Sequence, residues 1–190
     1  MWPWGHAAVG YLLYSAYTRS RGDRRPLAIA TIILAVGTQF PDLIDKPFSW
    51  TFGILPTGRT LAHTLLVLVP LTVAIYVACK RLRRLRSEWA IAFAIGALSH
   101  VVVDAIPSVV WGDVAMGNFL LWPLLSVPPY ENSSPSIIGA FLAFDLSNYV
   151  LFEFALVALA IGVWWADGRP GLSYLRNRFR KELAPSRDST

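Results

Sequence analysis

Apolar runs broken by basic or proline-bearing segments set the rhythm of this chain, and they predict five helices. The first spans about Gly5 to Tyr17 and stops at the basic stretch from Thr18 to Pro26. The second spans about Leu27 to Phe40, because Pro41 disfavours helix in the residue before it. Residues 43–58 carry Pro47, Gly53, Pro56 and Gly58 among Phe48, Trp50 and Phe52, the make-up of an interfacial loop. A third helix runs from about Thr60 to Lys80, with a kink predicted at Pro70, and a fourth from about Glu88 to Ile106, stopping near Pro107. Residues 107–145 form a long apolar connection with prolines throughout, suited to lying on or dipping into a bilayer. The fifth helix spans about Leu146 to Ala166 and ends in Trp164-Trp165, at the depth of an aromatic belt.

The last three helices are close to the roughly 20 residues that a bilayer crossing needs, whereas the first two, at about 14, suit a partial span. Composition agrees with a membrane setting: 55% of residues are apolar, mean hydropathy is +0.48, and only 15% are charged, against roughly 25% in soluble chains. The expected architecture is an all-α integral membrane bundle of about five helices, multi-pass in the cell membrane. Residues 1–166 form its membrane-embedded domain, and residues 167–190 a basic cytoplasmic tail with a short surface helix around Tyr174 to Leu183. Nothing basic precedes the first apolar run, so that run is expected to stay in the mature protein. A single cysteine, Cys79, excludes an intrachain disulfide framework and a cysteine zinc cluster.

The net charge of +5 raises nucleic acid as a partner, but the placement of the charges argues against it. Of the 17 Lys and Arg residues, 15 fall in three clusters, after the first, third and fifth helices. With five crossings these clusters share one face, which the positive-inside rule makes cytoplasmic, leaving the N-terminus outside. They read as solvated, orienting charges.

The same threading carries the remaining polar residues to the opposite, extracytoplasmic end. His6 opens the first helix, Asp42 and Asp45 close the second, and His63 lies one turn into the third. His100 and Asp104 close the fourth, and Glu153 lies two turns into the fifth. His100 and Asp104, four residues apart in an otherwise apolar run, share a helix face. A carboxylate in such surroundings needs a partner: a metal, the imidazole itself, or water. Three imidazoles with several carboxylates and no thiolate suit one or two divalent ions, Zn²⁺ first and Mn²⁺ or Fe²⁺ next. Such an ion activates water and polarises phosphoryl oxygens, which is hydrolase chemistry. Arg59, four residues before His63, is placed on the same predicted helix face, either to clamp an anionic oxygen or simply to snorkel. Asp45, beside Lys46, reads as a salt-bridged loop residue ahead of a metal ligand. The competing function is a non-catalytic membrane protein that binds or transports a divalent ion.

At these residues the chain resembles a known family. Gly37 to Asp45 is similar to a G-x-x-x-P-D-x-D block, Gly58 to Thr64 to an H-R-G-x-T-H-S block, and Gly96 to Asp104 to a G-x-x-S-H-x-x-x-D block. Leu121-Trp122-Pro123 resembles the L-W-P that follows them. The family is the YdjM type of membrane-bound, predicted metal-dependent hydrolases. Departures are Gly58 for the first histidine of the second block, Ala62 for its Thr and Thr64 for its Ser. The order of the ligands is also similar to that in zinc-dependent phospholipase C and P1-type nucleases. That similarity implies Asp42, His63, His100 and Asp104 around one zinc, with His6 and Asp104 reaching a neighbouring one. Tyr149 stands where those enzymes place a histidine, so a trinuclear cluster is not expected. With four ligands spoken for, Asp45 and Glu153 remain as carboxylates to accept a proton, and Glu153 is the choice. The expected substrate is a phosphoester, lipid or lipid-linked, reached from the bilayer.

Overall fold

The computed structural model describes residues 1–22, 24–82, 84–110, 112–128, 137–142, 144–172 and 174–176. The protein is all-helical, with 73% helix and no strand among the described residues. In order come α1 (Pro3–Ser20), α2 (Ala28–Lys46) running into a turn of π-helix (Pro47–Thr51), α3 (Leu65–Arg81) and α4 (Ser87–Val110). A 3₁₀ segment (Val114–Leu121), the short α5 (Ile137–Leu142) and α6 (Asn148–Ala166) follow. Among the described residues, three helical stretches are long and apolar enough to cross a membrane: Ala28–Thr51, Ser87–Val110 and Asn148–Ala166.

The centre of the molecule is α4, which packs on α1, α2, α3 and the 3₁₀ segment. Its tightest neighbour is α2, and glycine sets that closeness. A Cβ on Gly96 would lie 2.6 Å from the Leu34 carbonyl oxygen, and one on Gly37 would lie 2.7 Å from that of Phe93. Backbone therefore meets backbone, the usual way apolar helices associate where no hydrophobic gain separates helix from lipid. On α2 the buried positions Ala30, Leu34, Gly37, Thr38, Pro41, Asp42 and Asp45 form one stripe at helical spacing. The stripe is apolar at its start and carboxylate-bearing at its end. An apolar cluster of Tyr11, Tyr14, Ala30, Leu34 and Ala92 fills the other end of the bundle.

Three boundaries differ from the sequence expectation. α2 continues through Pro41 to Lys46, and α4 continues through Pro107 to Val110. Proline is tolerated inside membrane helices when neighbouring groups satisfy the freed backbone, and here the extra turns carry Asp42 and Asp45 into the interior. α3 begins only at Leu65, so Arg59 and His63 sit in the loop before it rather than on one helix face. Thr64 caps the helix, accepting the Leu66 N–H at 3.3 Å. Its hydroxyl also reaches the carbonyls of Leu120 and Trp122, tying the 3₁₀ segment to the start of α3.

The start of the expected tail is not solvated: Asp167 is buried, and it accepts hydrogen bonds from Tyr11 (2.8 Å), Ser15 (2.7 Å) and Arg19 (2.5 Å) on α1. Asp113 and Asp145 are exposed, as solvated loop carboxylates should be. Glu131 and residues 177–183 of the predicted surface helix at 174–183 lie outside the described residues.

Candidate metal centre

Four helices and one loop bring their polar residues to one end. His6 comes from the first turn of α1, Asp42 and Asp45 from the last turns of α2, His100 and Asp104 from α4, and Glu153 from the start of α6. Arg59 and His63 come from the loop before α3. All three histidines and the four carboxylates are buried.

At the middle, His63 Nε2 and His100 Nε2 stand 3.2 Å apart. Asp42 Oδ1 is 3.6 Å from each, and Asp104 Oδ2 is 3.8 Å from each. Ligands about 2.0–2.2 Å from a single tetrahedral ion are separated by distances of just this order. Asp42, His63 and His100 form one group able to hold a metal, and His6, His100 and Asp104 form a second that shares His100.

The far side of each central imidazole determines what its near side presents. His100 Nδ1 is 2.7 Å from the Thr38 carbonyl oxygen, which can only accept, so Nδ1 carries the proton. His63 Nδ1 is 2.8 Å from Asp45 Oδ2, with the same consequence. In the neutral rings both Nε2 lone pairs then face the same point, alongside two carboxylate oxygens. Asp42 Oδ1 has no hydrogen-bond partner there. Lone pairs and anionic oxygens gathered in a buried spot repel one another unless a cation or protons stand between them. Buried carboxylate and carbonyl partners on the outer nitrogens are the usual support of metal-binding histidines.

Asp45 owes its position to the loop. Its carboxylate accepts the backbone N–H groups of Thr60 (2.7 Å), Ala62 (2.9 Å) and His63 (3.3 Å) besides the His63 ring. That capture is why residues 60–63 do not join α3. The expected Asp45–Lys46 pairing is replaced by one a turn away: Lys46 Nζ meets Asp42 Oδ2 at 2.5 Å. Arg59 Nε lies 3.0 Å from Asp104 Oδ2, so the guanidinium reaches the centre from the loop.

His6 lies against the face of His100, ring centroids 3.7 Å apart, with its Nε2 3.4 Å from Asp104 Oδ1. Neither of its ring nitrogens makes a hydrogen bond. Glu153 lies further out, its two carboxylate oxygens 3.1 and 3.3 Å from the Trp2 amide, and it belongs to neither metal-capable group. The sequence reading missed Thr38. Its position one residue after Gly37, on the buried stripe of α2, is the only sequence signal that marks it.

The model of the YdjM inner membrane protein family matches residues 1–170. No curated protein and no solved structure matches the chain.

Proposed function

This chain belongs to the YdjM inner membrane protein family, and from that premise we propose that it is a membrane-bound, metal-dependent hydrolase of phosphoesters. The observation that carries the reading is the trio Asp42 Oδ1, His63 Nε2 and His100 Nε2, with Asp104 Oδ2 3.8 Å from both imidazoles and each imidazole held from behind in the tautomer that frees Nε2. Imidazole and carboxylate without thiolate suit Zn²⁺, with Mn²⁺ or Fe²⁺ as alternatives. His6, with Asp104, is the natural holder of a second ion. When bound, a divalent ion supplies Lewis-acid polarisation of a phosphoryl oxygen. The likeness to phospholipase C and P1-type nucleases belongs to the same proposal, resting on the order of these ligands along the chain.

The surrounding side chains take distinct parts. Asp45 orients His63. Arg59, beside Asp104, offers a guanidinium that matches a phosphate oxygen pair. Glu153 is the buried carboxylate left outside the ligand set, and its oxygens take the proton of the attacking water. The helices are arranged as five crossings with the basic clusters in the cytoplasm, which puts the site on the extracytoplasmic side. Residues 1–166 are the embedded unit, and residues 167–190 the cytoplasmic tail.

Metal analysis of the purified protein tests the reading first. Wild type is expected to hold one or two equivalents of Zn²⁺ or Mn²⁺ and His100→Ala to hold far less; equal, near-zero contents would leave only a hydrogen-bonded His–Asp cluster. Hydrolysis of a phosphodiester with metal supplied is the second measurement. Glu153→Gln should keep the metal and lose about 10²-fold or more of the rate, the usual range for a general base. Bound metal with no hydrolysis of any phosphoester by wild type would make the protein a non-catalytic binder or carrier of the ion.

A further inference from the structure

A cavity of about 600 Å³ adjoins the centre, well within the size range of ligand sites. Its walls are the last turns of α2 with the π-turn (Leu43, Lys46, Trp50), the first turn of α6 (Tyr149, Val150), and Trp2. Apart from Trp2, these residues belong to the stretches Ala28–Thr51 and Asn148–Ala166, both apolar and long enough to cross a membrane. Leu43 is 63% exposed and Tyr149 39%, so the cavity has its mouth between α2 and α6.

Three polar residues, Gln39, Asp42 and Lys46, break the apolar lining on the α2 side, and Asp145 and Ser147 do so just before α6. Asp42 forms part of the wall and turns Oδ1 toward the two imidazoles and Oδ2 toward Lys46. Lys46 lies 5.5 Å from the Trp50 ring centroid, and its side chain keeps 27% exposure. One of its three ammonium protons serves Asp42, which leaves two for a guest. The position of this lysine is unusual for the chain. Outside the three clusters of 15 basic residues stand only Lys46 and Arg59, and both are at the end where the ligands gather.

We infer that this cavity is where the substrate lies, that the substrate is an anionic phospholipid entering from the bilayer, and that Lys46 selects its phosphate headgroup. The hydrocarbon chain lies along Leu43, Trp50 and Val150, and the phosphate meets Lys46 beside Asp42. The inference rests on the hydrolase reading for the fate of the phosphate, but binding is independent of turnover.

The test is photo-crosslinking of full-length, metal-loaded protein in detergent with a diazirine-acyl phosphatidic acid. Label is expected in peptides containing Leu43 to Trp50 and Tyr149-Val150. Unlabelled phosphatidic acid should compete, while diacylglycerol and inorganic phosphate should not. Lys46→Gln should lower this labelling about tenfold, as loss of one charge-assisted hydrogen bond requires. Lys46→Arg should keep most of it, and Leu43→Trp should block the mouth. Metal content, measured on the same samples, should stay at the wild-type level in all three variants. Label spread evenly over the exposed apolar faces, with diacylglycerol competing, would reduce the cavity to a crevice for surrounding lipid and overturn the inference. Competition by inorganic phosphate would make it an anion site without lipid, and loss of metal in Lys46→Gln would make Lys46 a support of the centre; either overturns it too. The two readings fail separately. Labelling as expected without hydrolysis removes the enzyme and keeps the lipid site, whereas hydrolysis of a soluble phosphodiester without such labelling does the reverse.

Discussion

His63 shows how much one side chain here depends on another that never reaches the centre. Asp45 takes its Nδ1–H at 2.8 Å and also binds its backbone N–H, so one carboxylate sets both the ring's tautomer and the path of the loop that presents it. Asp45→Asn keeps the shape but offers an amide that can turn its NH₂ toward the ring, which favours the wrong tautomer. Outer partners of metal-binding histidines are worth roughly 10- to 100-fold in metal affinity. We therefore expect Asp45→Asn to weaken Zn²⁺ binding by that order in a competition titration with a chromogenic chelator. Unchanged affinity would mean that His63 holds its orientation without Asp45. Thr38 plays the same part for His100, but through a backbone carbonyl, so no substitution of its side chain removes the contact.

Between elements, the centre depends on the α2–α4 contact, because the Thr38 carbonyl and the His100 ring come from the two partners. Gly96→Val would put methyl groups where the Leu34 carbonyl oxygen is already 2.6 Å from a Cβ and the Thr38 nitrogen 2.8 Å. Backbone atoms cannot swing aside as a side chain does, so the helices must part. Overpacking of this kind costs about 1–3 kcal/mol, and thermal melts in detergent should show a clear drop for Gly96→Val together with weaker metal binding. A lower melting temperature with full metal affinity would uncouple the helix contact from the site. At the other end of the bundle, Asp167 latches α6 to α1 from just beyond the helix. Burial alone pushes its carboxyl up, but Ser15, Tyr11 and Arg19 outweigh that and hold it below the usual 3.8. A folded value below the unfolded one gives stability that is complete above about pH 4 and is lost as pH falls through the folded value. Asp167→Asn should thus be less stable than wild type at neutral pH, and the gap between their melting temperatures should close on acidification. A gap that stays constant with pH would assign the effect to shape rather than charge.

Across the molecule, charge and chemistry sit at opposite ends. Arg19 closes α1, Lys80 and Arg81 close α3, and Arg169 follows α6, whereas His6 lies in the first turn of α1, His63 just before α3 and Glu153 near the start of α6, beside the ligands from α2 and α4. This polarity gives a topology prediction. In a Cys79-free variant, a cysteine at Ile54, exposed in the loop before α3, should react with a membrane-impermeant maleimide added outside intact cells. One at Leu82, exposed at the end of α3, should react only after permeabilisation. The opposite pattern would invert the orientation while leaving the site confined to one end.

Membrane class, the existence of five long helices and the set of polar residues that share an end could all be read along the chain. Each depends on local properties, such as the length of an apolar run, the position of a basic break or the identity of a residue in a run otherwise apolar. His100 and Asp104 stand out in the sequence because nothing ionisable surrounds them for more than a turn. What each polar residue touches was not legible, because it depends on groups far apart in sequence. Asp45 looks like a partner for its neighbour Lys46. In the folded chain it holds a loop 15 to 18 residues away, and that loop in turn delays the start of α3 to Leu65. Pro41 looks like a helix end, yet α2 continues through it, and the buried turns beyond it carry Asp42 and Asp45. Lys46 falls in a segment that reads as loop but lies on a helix, four residues after the carboxylate it pairs with. Local pattern dictated which residues this chain buries at one end of its helices, and only packing, through glycine contacts that bring backbones together and carboxylates that collect distant N–H groups, decided how they face one another.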